Sequence, residues 1–397
     1  MTSIYLDHNA TTPVDQAVAE AMALCLGERC GNPSSLHGAG RIAREAVERA
    51  RNRVTDSVGG RPEEIVFVSG GTEANNLAIR GSYWAHRRRG RHLITTAVEH
   101  HSVLEPCRWL EREGLAEVTY LPVDEHGMID PSDVERAICP ETILVSVMHA
   151  NNEVGTMQPV EAVAEVTRRR GVLLHVDAVQ TWGKVPWSVE TLGADLVSLS
   201  AHKCYGPKGI GALWVRRGVL LTAQQQGGHQ ERNGRGGTES VASIVGFGVT
   251  AQLVRERLAQ RAAHILALEE AFWSGVRARI DGALLNGHPA RRVPGTVNVA
   301  FDGVDGDALM IQCDLAGLCV SLGAACEAGS AEPSHVLLAM GVPEGRARAS
   351  VRFSIGCGNT HAEIERCVDV LADLVAKLRV HQPRDQRTHD VRPTTYA

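Results

Sequence analysis

Lysine is scarce in this chain. Among 397 residues there are four, Lys184, Lys203, Lys208 and Lys377, so any chemistry that needs a primary amine must choose among them. No Cys-x-x-Cys pair and no zinc-type Cys/His cluster occurs, and the ten cysteines are scattered. They read as reduced thiols, and no metal site is expected. No uncharged apolar stretch approaches the length of a membrane span. The opening residues lack a basic segment followed by an apolar run, so the expectation is a cytoplasmic protein without a signal peptide. The formal net charge of −5 gives no general attraction to nucleic acid or anionic membranes. The Arg87–Arg91 run is short and reads as a solvated turn. No internal repeat is visible.

What is present is enough apolar residue, 44%, for a large buried core. Short apolar runs at 64–68, 92–96, 142–148, 172–176, 196–199 and 211–215 predict strands, several continuously apolar and so buried on both faces. Helical stretches between them predict an α/β fold, a mainly parallel sheet flanked by helices. Ligands in such folds bind beyond the carboxyl ends of the strands. From about Leu253 the pattern changes. A helix through Leu266–Val276, a strand at 296–301, a helix at 307–315, a strand at 350–355 and a last helix after the Thr360-x-x-Glu363 capping box predict a smaller α+β domain. The expected division is 14–255 for the large domain, 1–13 with 256–380 for the small one, and a polar tail at 381–397.

Three polar elements fall at strand ends. Ser69-Gly70-Gly71-Thr72-Glu73-Ala74 follows a strand and opens a helix, where backbone N–H groups can cradle an anion; an ordinary strand-to-helix turn meets the same pattern. Asp177 ends an apolar strand, where a carboxylate needs a partner. A protonated pyridine nitrogen would serve, and so would a helix-capping role. Lys203 follows the next strand, an unusual place for lysine, and burial there would free its amine for Schiff-base chemistry. Ser200 and His202 flank it and could hold phosphate. Lys184 and Lys208 read as ordinary surface lysines. Cradle, carboxylate and strand-end lysine together fit pyridoxal phosphate.

At this point the chain resembles the NifS/IscS-type cysteine desulfurases, class V aminotransferase-like enzymes of the fold-type I pyridoxal-phosphate group. The likeness rests on Tyr5–Pro13, Gly31–His37, Glu99-His100, Asn151–Gly155, Asp177–Gln180, Ser200–Lys203, Gly227–Arg232, Gly237-Thr238, Cys326 and Arg352, in family order. The resemblance implies that Lys203 holds the cofactor covalently and moves protons at the substrate Cα. It implies that His100 stacks on the pyridine ring, Asp177 pairs with its nitrogen and Gln180 reaches its hydroxyl. Gly71, Thr72, Ser200 and His202 would hold the phosphate, and Thr238 would reach the phosphate of a neighbouring copy in a homodimer. Asn152 and Arg352 would bind the substrate carboxylate, a task that suits the planar guanidinium fork; a structural ion pair is the other use of Arg352.

The same resemblance makes Cys326, in a segment of small residues at 321–335, the acceptor of sulfur from L-cysteine. Its persulfide would pass to an acceptor protein such as an iron–sulfur scaffold or sulfur carrier, and alanine would leave. Relatives commonly carry Ser-Ser-Gly-x-Ala-Cys-Thr here. This chain has Leu322 for the second serine and Glu327 after the cysteine, and a nearby carboxylate raises a thiol pKa. Replacing Glu327 by Thr is then expected to speed alkylation of Cys326. Gly356–Asn359 departs from the family as well, and its Cys357 reads as a structural thiol sooner than a second sulfur carrier. A selenocysteine lyase is the nearest alternative activity. A degenerate scaffold that binds partners without turnover is a more distant one, opposed by intact Lys203, Asp177, His100 and Arg352.

Overall fold

The computed structural model describes residues 3–27, 31–322 and 332–381. Cys326, Glu327 and the tail expected beyond the last helix lie outside them. Among the described residues the strands are β1 (Ile4–Tyr5), β2 (Ile65–Val68), β3 (His92–Thr96), β4 (Glu117–Leu121), β5 (Thr142–Met148), β6 (Leu173–Asp177), β7 (Leu196–Ser200), β8 (Gly211–Val215), β9 (Ala283–Asn286), β10 (Thr296–Phe301), β11 (Leu318–Cys319) and β12 (Ser350–Ser354). Seven of them form one sheet in the order β2-β8-β7-β6-β5-β3-β4, and only β8 runs against the rest. The α/β class read from the sequence is the one observed.

The central strands β5 and β7 are buried at every position, as expected of mainly apolar runs covered on both faces. Two strand ends reach further than the apolar pattern suggested. β6 includes Asp177 and β7 includes Ser200. Each polar residue continues the ladder and so leaves the strand at the rim with a fixed direction.

The largest difference lies in the long helix. It runs from Val241 to Arg279 rather than only through Leu266–Val276. Gly246 and Gly248 break the apolar periodicity there, but the structure uses them for close packing. A Cβ on Gly246 would meet Met22 Sδ at 2.7 Å, and one on Gly248 would meet the Ala50 Cα at 2.6 Å. This helix joins two cores. Phe247, Ala251 and Val254 belong to the core beneath the large sheet. Leu268, Phe272 and Val276 pack with Phe301, Phe353 and Leu371 in a second core. The division at 255 drawn from the sequence therefore falls inside one continuous helix.

The second core is covered by the antiparallel sheet β12-β10-β9. The N-terminal segment is stitched to this side: β1 pairs in parallel with β11, and Asp7 bridges to Ser354. The last helix, His361–His381, begins at the expected box. The Thr360 N–H donates to Glu363 at 2.9 Å, and the Glu363 N–H donates to the Thr360 hydroxyl at 3.3 Å.

Candidate active site

A cavity of about 300 Å³ opens at the carboxyl ends of the parallel strands. The ends of β2, β3, β5, β6 and β7, or the segments that follow them, deliver polar groups to it. After β7, the turn Ala201–Lys203 brings Lys203 inward. Its ammonium donates to the Asn9 carbonyl at 2.5 Å and the Ala10 carbonyl at 2.9 Å. His202, beside it, is tied through its own carbonyl to the Thr12 backbone N–H at 2.9 Å. The N-terminal segment thus forms one wall.

Asp177, at the end of β6, is buried. One of its oxygens accepts from Asn75 at 2.7 Å, the other from the Val179 N–H at 3.0 Å. Burial pushes the Asp177 carboxyl up, while these donors and the charge of Lys203 pull it down. A cation in the cavity would relieve the remaining cost of holding it ionised.

Asn75 also donates to the Ser102 hydroxyl at 2.8 Å. That hydroxyl stands 2.7 Å from His100 Nδ1, which accepts from the Ser102 backbone N–H at 3.1 Å. His100 Nδ1 is therefore an acceptor. Burial, then the charges of Lys203, His101 and His335, hold His100 down at about 4, so it is neutral near pH 7 with its proton on Nε2.

After β2, Gly70 caps the helix Gly71–His86 at φ 157°, a conformation that favours glycine, and no side chain caps the free N–H groups. A Cβ on Gly71 would meet Val179 at 2.9 Å. Gly71 and Thr72 line the cavity here. Opposite, the Ser200 hydroxyl is buried without a partner among the described residues. Free N–H groups at a helix start and an unsatisfied hydroxyl are the donors an anion takes.

Arg352, on β12, is 1% exposed. Its Nη2 lies 2.7 Å from Asp7 and its Nη1 donates to the Asn152 carbonyl at 3.0 Å. The ion pair considered for this arginine exists, and the residue also lines the cavity. Described residues before and after the stretch that contains Cys326 meet the same wall. Ser321 bridges to Arg352, and the Ser334 hydroxyl donates to Glu153 at 2.5 Å.

The structure thus gathers Gly71, Thr72, His100, Asn152 and Asp177 around one space with Gln180, Ser200, His202, Lys203 and Arg352. Thr238 is elsewhere, exposed beside a depression of about 180 Å³ that also touches Ser69 and Arg235. Cys326 lies outside the described residues. One sequence reading is overturned. Lys184 is no surface lysine: its ammonium turns inward and donates to Asn9 Oδ1 at 2.7 Å and Gln180 Oε1 at 2.9 Å. Its four methylenes carry the ammonium in from the turn to two amides that line the cavity.

Sequence reasoning missed Asn75 and Ser102, each of which follows a recognised residue on the same helical turn. It also gave no role to Glu99. This carboxyl is fully buried and accepts from Thr96 at 2.9 Å and the Met148 N–H at 2.8 Å. Burial and then the nearby Asp177 push it up to about 8, with the two donors opposing. Among the described residues, no group of three or more His, Cys, Asp or Glu side chains is placed to hold a metal ion. No helix among them is long and apolar enough to cross a membrane.

Comparison with known proteins identifies the family. The profile of the family Aminotransferase class-V matches residues 4–367. Cysteine desulfurase IscS of Dictyoglomus turgidum is 45% identical over 383 residues, which cover 96% of this chain and 97% of that protein. A solved NifS-like protein superposes with a TM-score of 0.89 at 37% identity, covering 95% of this chain and all of that one. SspA, solved in complex with cysteine, superposes with a TM-score of 0.80 at 36% identity over 90% of this chain and all of that one. The chain belongs to the class V aminotransferase family and, within it, to the cysteine desulfurases of the NifS/IscS type.

Proposed function

We propose that the cavity binds pyridoxal phosphate and L-cysteine, and that the chain moves sulfur from that cysteine to Cys326 as a persulfide, releasing alanine. The observation that carries this reading is the meeting of Lys203, Asp177, His100 and Arg352 in one cavity beside a helix start with free N–H groups. The residues fit the cofactor on two counts. The unsatisfied Ser200 hydroxyl and the Gly71 cradle suit a phosphate, and buried Asp177 suits a protonated ring nitrogen.

When bound, the cofactor supplies an electron sink for charge developing at the substrate Cα. The chain's own groups do the rest. Lys203 is held at the Asn9 and Ala10 carbonyls, where its amine can join the cofactor and carry a proton at Cα. His100, neutral with Nε2 protonated, can stack and donate. The Arg352 guanidinium and Asn152 receive the substrate carboxylate, with Asp7 fixing the arginine plane. The Cys326 thiolate takes the substrate sulfur as the Cβ–S bond breaks, and the three-carbon remainder leaves as alanine after protonation.

The same reading includes a large unit at 14–255 and a smaller one formed by 1–13 and 256–380. It includes a cytoplasmic homodimer in which Thr238 reaches the phosphate held by a neighbouring copy. An acceptor protein, an iron–sulfur scaffold or a sulfur carrier, takes the persulfide sulfur. Its test is an assay of purified protein with L-cysteine, quantifying alanine and protein-bound persulfide beside a Cys326→Ala variant. Both products are expected from the native protein and neither from the variant. Cofactor-loaded protein that yields neither product overturns the reading.

A further inference from the structure

Lys184 has no part in the chemistry above, yet it is one of only four lysines and its ammonium faces inward. It donates to two side-chain amides, Gln180 and Asn9, both of which line the cavity. An amide can present either its oxygen or its nitrogen, and the two ends are nearly alike in shape. A lysine ammonium can only donate. Each amide must therefore turn its oxygen to Lys184 and its nitrogen away.

For Gln180, the nitrogen then donates to the Asn9 carbonyl at 3.2 Å. That carbonyl oxygen is also the one 2.5 Å from the Lys203 ammonium. Gln180 Nε2 and Lys203 Nζ are thus neighbours around a single acceptor. Nε2 carries a second hydrogen, so the amide can offer a donor beside the lysine amine. For Asn9, Nδ2 donates to the Asn152 carbonyl at 3.1 Å and to the Thr296 hydroxyl at 2.8 Å. The Asn152 carbonyl in turn accepts from Arg352. One ammonium orders both the lysine side and the arginine side of the cavity. Burial holds Lys184 down at about 8, which still leaves most of it protonated, and able only to donate, at neutral pH.

We propose that Lys184 is a positioning residue that fixes Gln180 with its N–H toward Lys203, so that a ring oxygen next to the carbon joined to Lys203 meets a donor and never an acceptor. This rests on the pyridoxal-phosphate reading above. The ring hydroxyl of that cofactor is adjacent to its aldehyde carbon, so a group seated beside the Lys203 amine would face it. A donor there would stabilise the ionised oxygen and lower its proton affinity.

The test uses full-length protein loaded with pyridoxal phosphate and reads the pH midpoint of the cofactor's visible absorption band, with the melting temperature measured alongside. Lys184→Met should raise the midpoint by about one unit, a tenfold change in proton affinity, the scale of one lost hydrogen bond. Lys184→Arg, also a pure donor, should hold it. Gln180→Leu should raise it similarly, and the Lys184→Met, Gln180→Leu double variant should go no further. Should Lys184→Met fail to fold, Lys184→Gln takes its place, because a glutamine can accept as well as donate and no longer dictates which end of Gln180 turns inward. An unchanged midpoint in the Met or Gln variant overturns the proposal. So does a shift that persists in full on the Gln180→Leu background, which would assign the effect to charge alone. Native protein that gives no such band, or whose borohydride-fixed cofactor sits on a lysine other than Lys203, overturns the cofactor reading instead.

Discussion

The side-chain amide of Asn75 donates to Asp177 at 2.7 Å, and the same nitrogen donates to Ser102 at 2.8 Å. Asn75 therefore couples the carboxylate expected to face the ring nitrogen to the residue that orients His100. Asn75→Ala removes one of the two donors that favour the ionised form of Asp177 against its burial. A hydrogen bond to a charged group contributes about 1.5–3 kcal/mol. Retention of pyridoxal phosphate, followed by fluorescence titration, should weaken by at least about tenfold with little loss of thermal stability.

Arg352 meets Asp7 and the Asn152 carbonyl through separate nitrogens. Lysine cannot keep both contacts and still offer a fork to a carboxylate. Arg352→Lys should raise KM for L-cysteine by about a hundredfold, the range of 2–3 kcal/mol for a lost charged pair. The cofactor spectrum should stay unchanged. Steady-state alanine release at varied cysteine concentration measures the first, and absorbance the second.

Five histidines, His8, His100, His149, His175 and His202, are held down by burial, four to about 4 and His175 to about 3. Each has a lower pKa folded than unfolded, so the unfolded chain takes up more protons as pH falls below 6.5. Stability is then lost progressively between pH 6.5 and about 4, up to about 1.4 kcal/mol per pH unit for each histidine. His175 sits between Ser146 at 2.8 Å and Ser198 at 2.9 Å, away from the cavity lining. His175→Asn should make the fall of melting temperature across that window shallower. An equal slope would show that this histidine is not part of the linkage.

Glu99 pulls the other way. Its carboxyl is raised to about 8, so the folded chain binds a proton that the unfolded chain has released above pH 4.5. Stability from this group is complete below pH 4.5 and lost as pH rises through 8. Glu99→Gln, neutral at every pH, should flatten the decline of melting temperature between pH 5 and 8.

Ser334, which follows the stretch that contains Cys326, donates to Glu153 at 2.5 Å. Ser334→Ala should slow persulfide formation on Cys326 by roughly tenfold, the scale of one hydrogen bond. Cofactor affinity should not move, since Ser334 is outside the cavity lining. Single-turnover persulfide labelling beside a cofactor titration separates the two.

The sheet was readable because β5 and β7 are buried at every position and are mainly apolar, while the polar residues that end β6 and β7 had to be there for another reason. The register of Asp177, Ser200 and Lys203 at one rim follows from parallel pairing, a property of the fold class. What stayed hidden has common causes. The acceptors of Lys203 are backbone carbonyls of Asn9 and Ala10, and a carbonyl has no letter in the sequence. Asn75 and Ser102 serve other side chains, so nothing local marks them. Lys184 was misread because its stem can lie along a surface while its head turns inward. The helix before Leu266 was not read from the sequence, and the value of its Gly246 and Gly248 lies in what packs against them.

The first strand pairs with Leu318 and Cys319, and the residues just after it reach Ser354 and Arg352. Asp7 and Arg352 lie 345 positions apart in the chain, so this corner of the cavity is closed by contacts of very long range. The same N-terminal segment gives the Asn9 and Ala10 carbonyls to Lys203. One short stretch of backbone thus ties the lysine and the arginine together, and loosening it would disturb both at once.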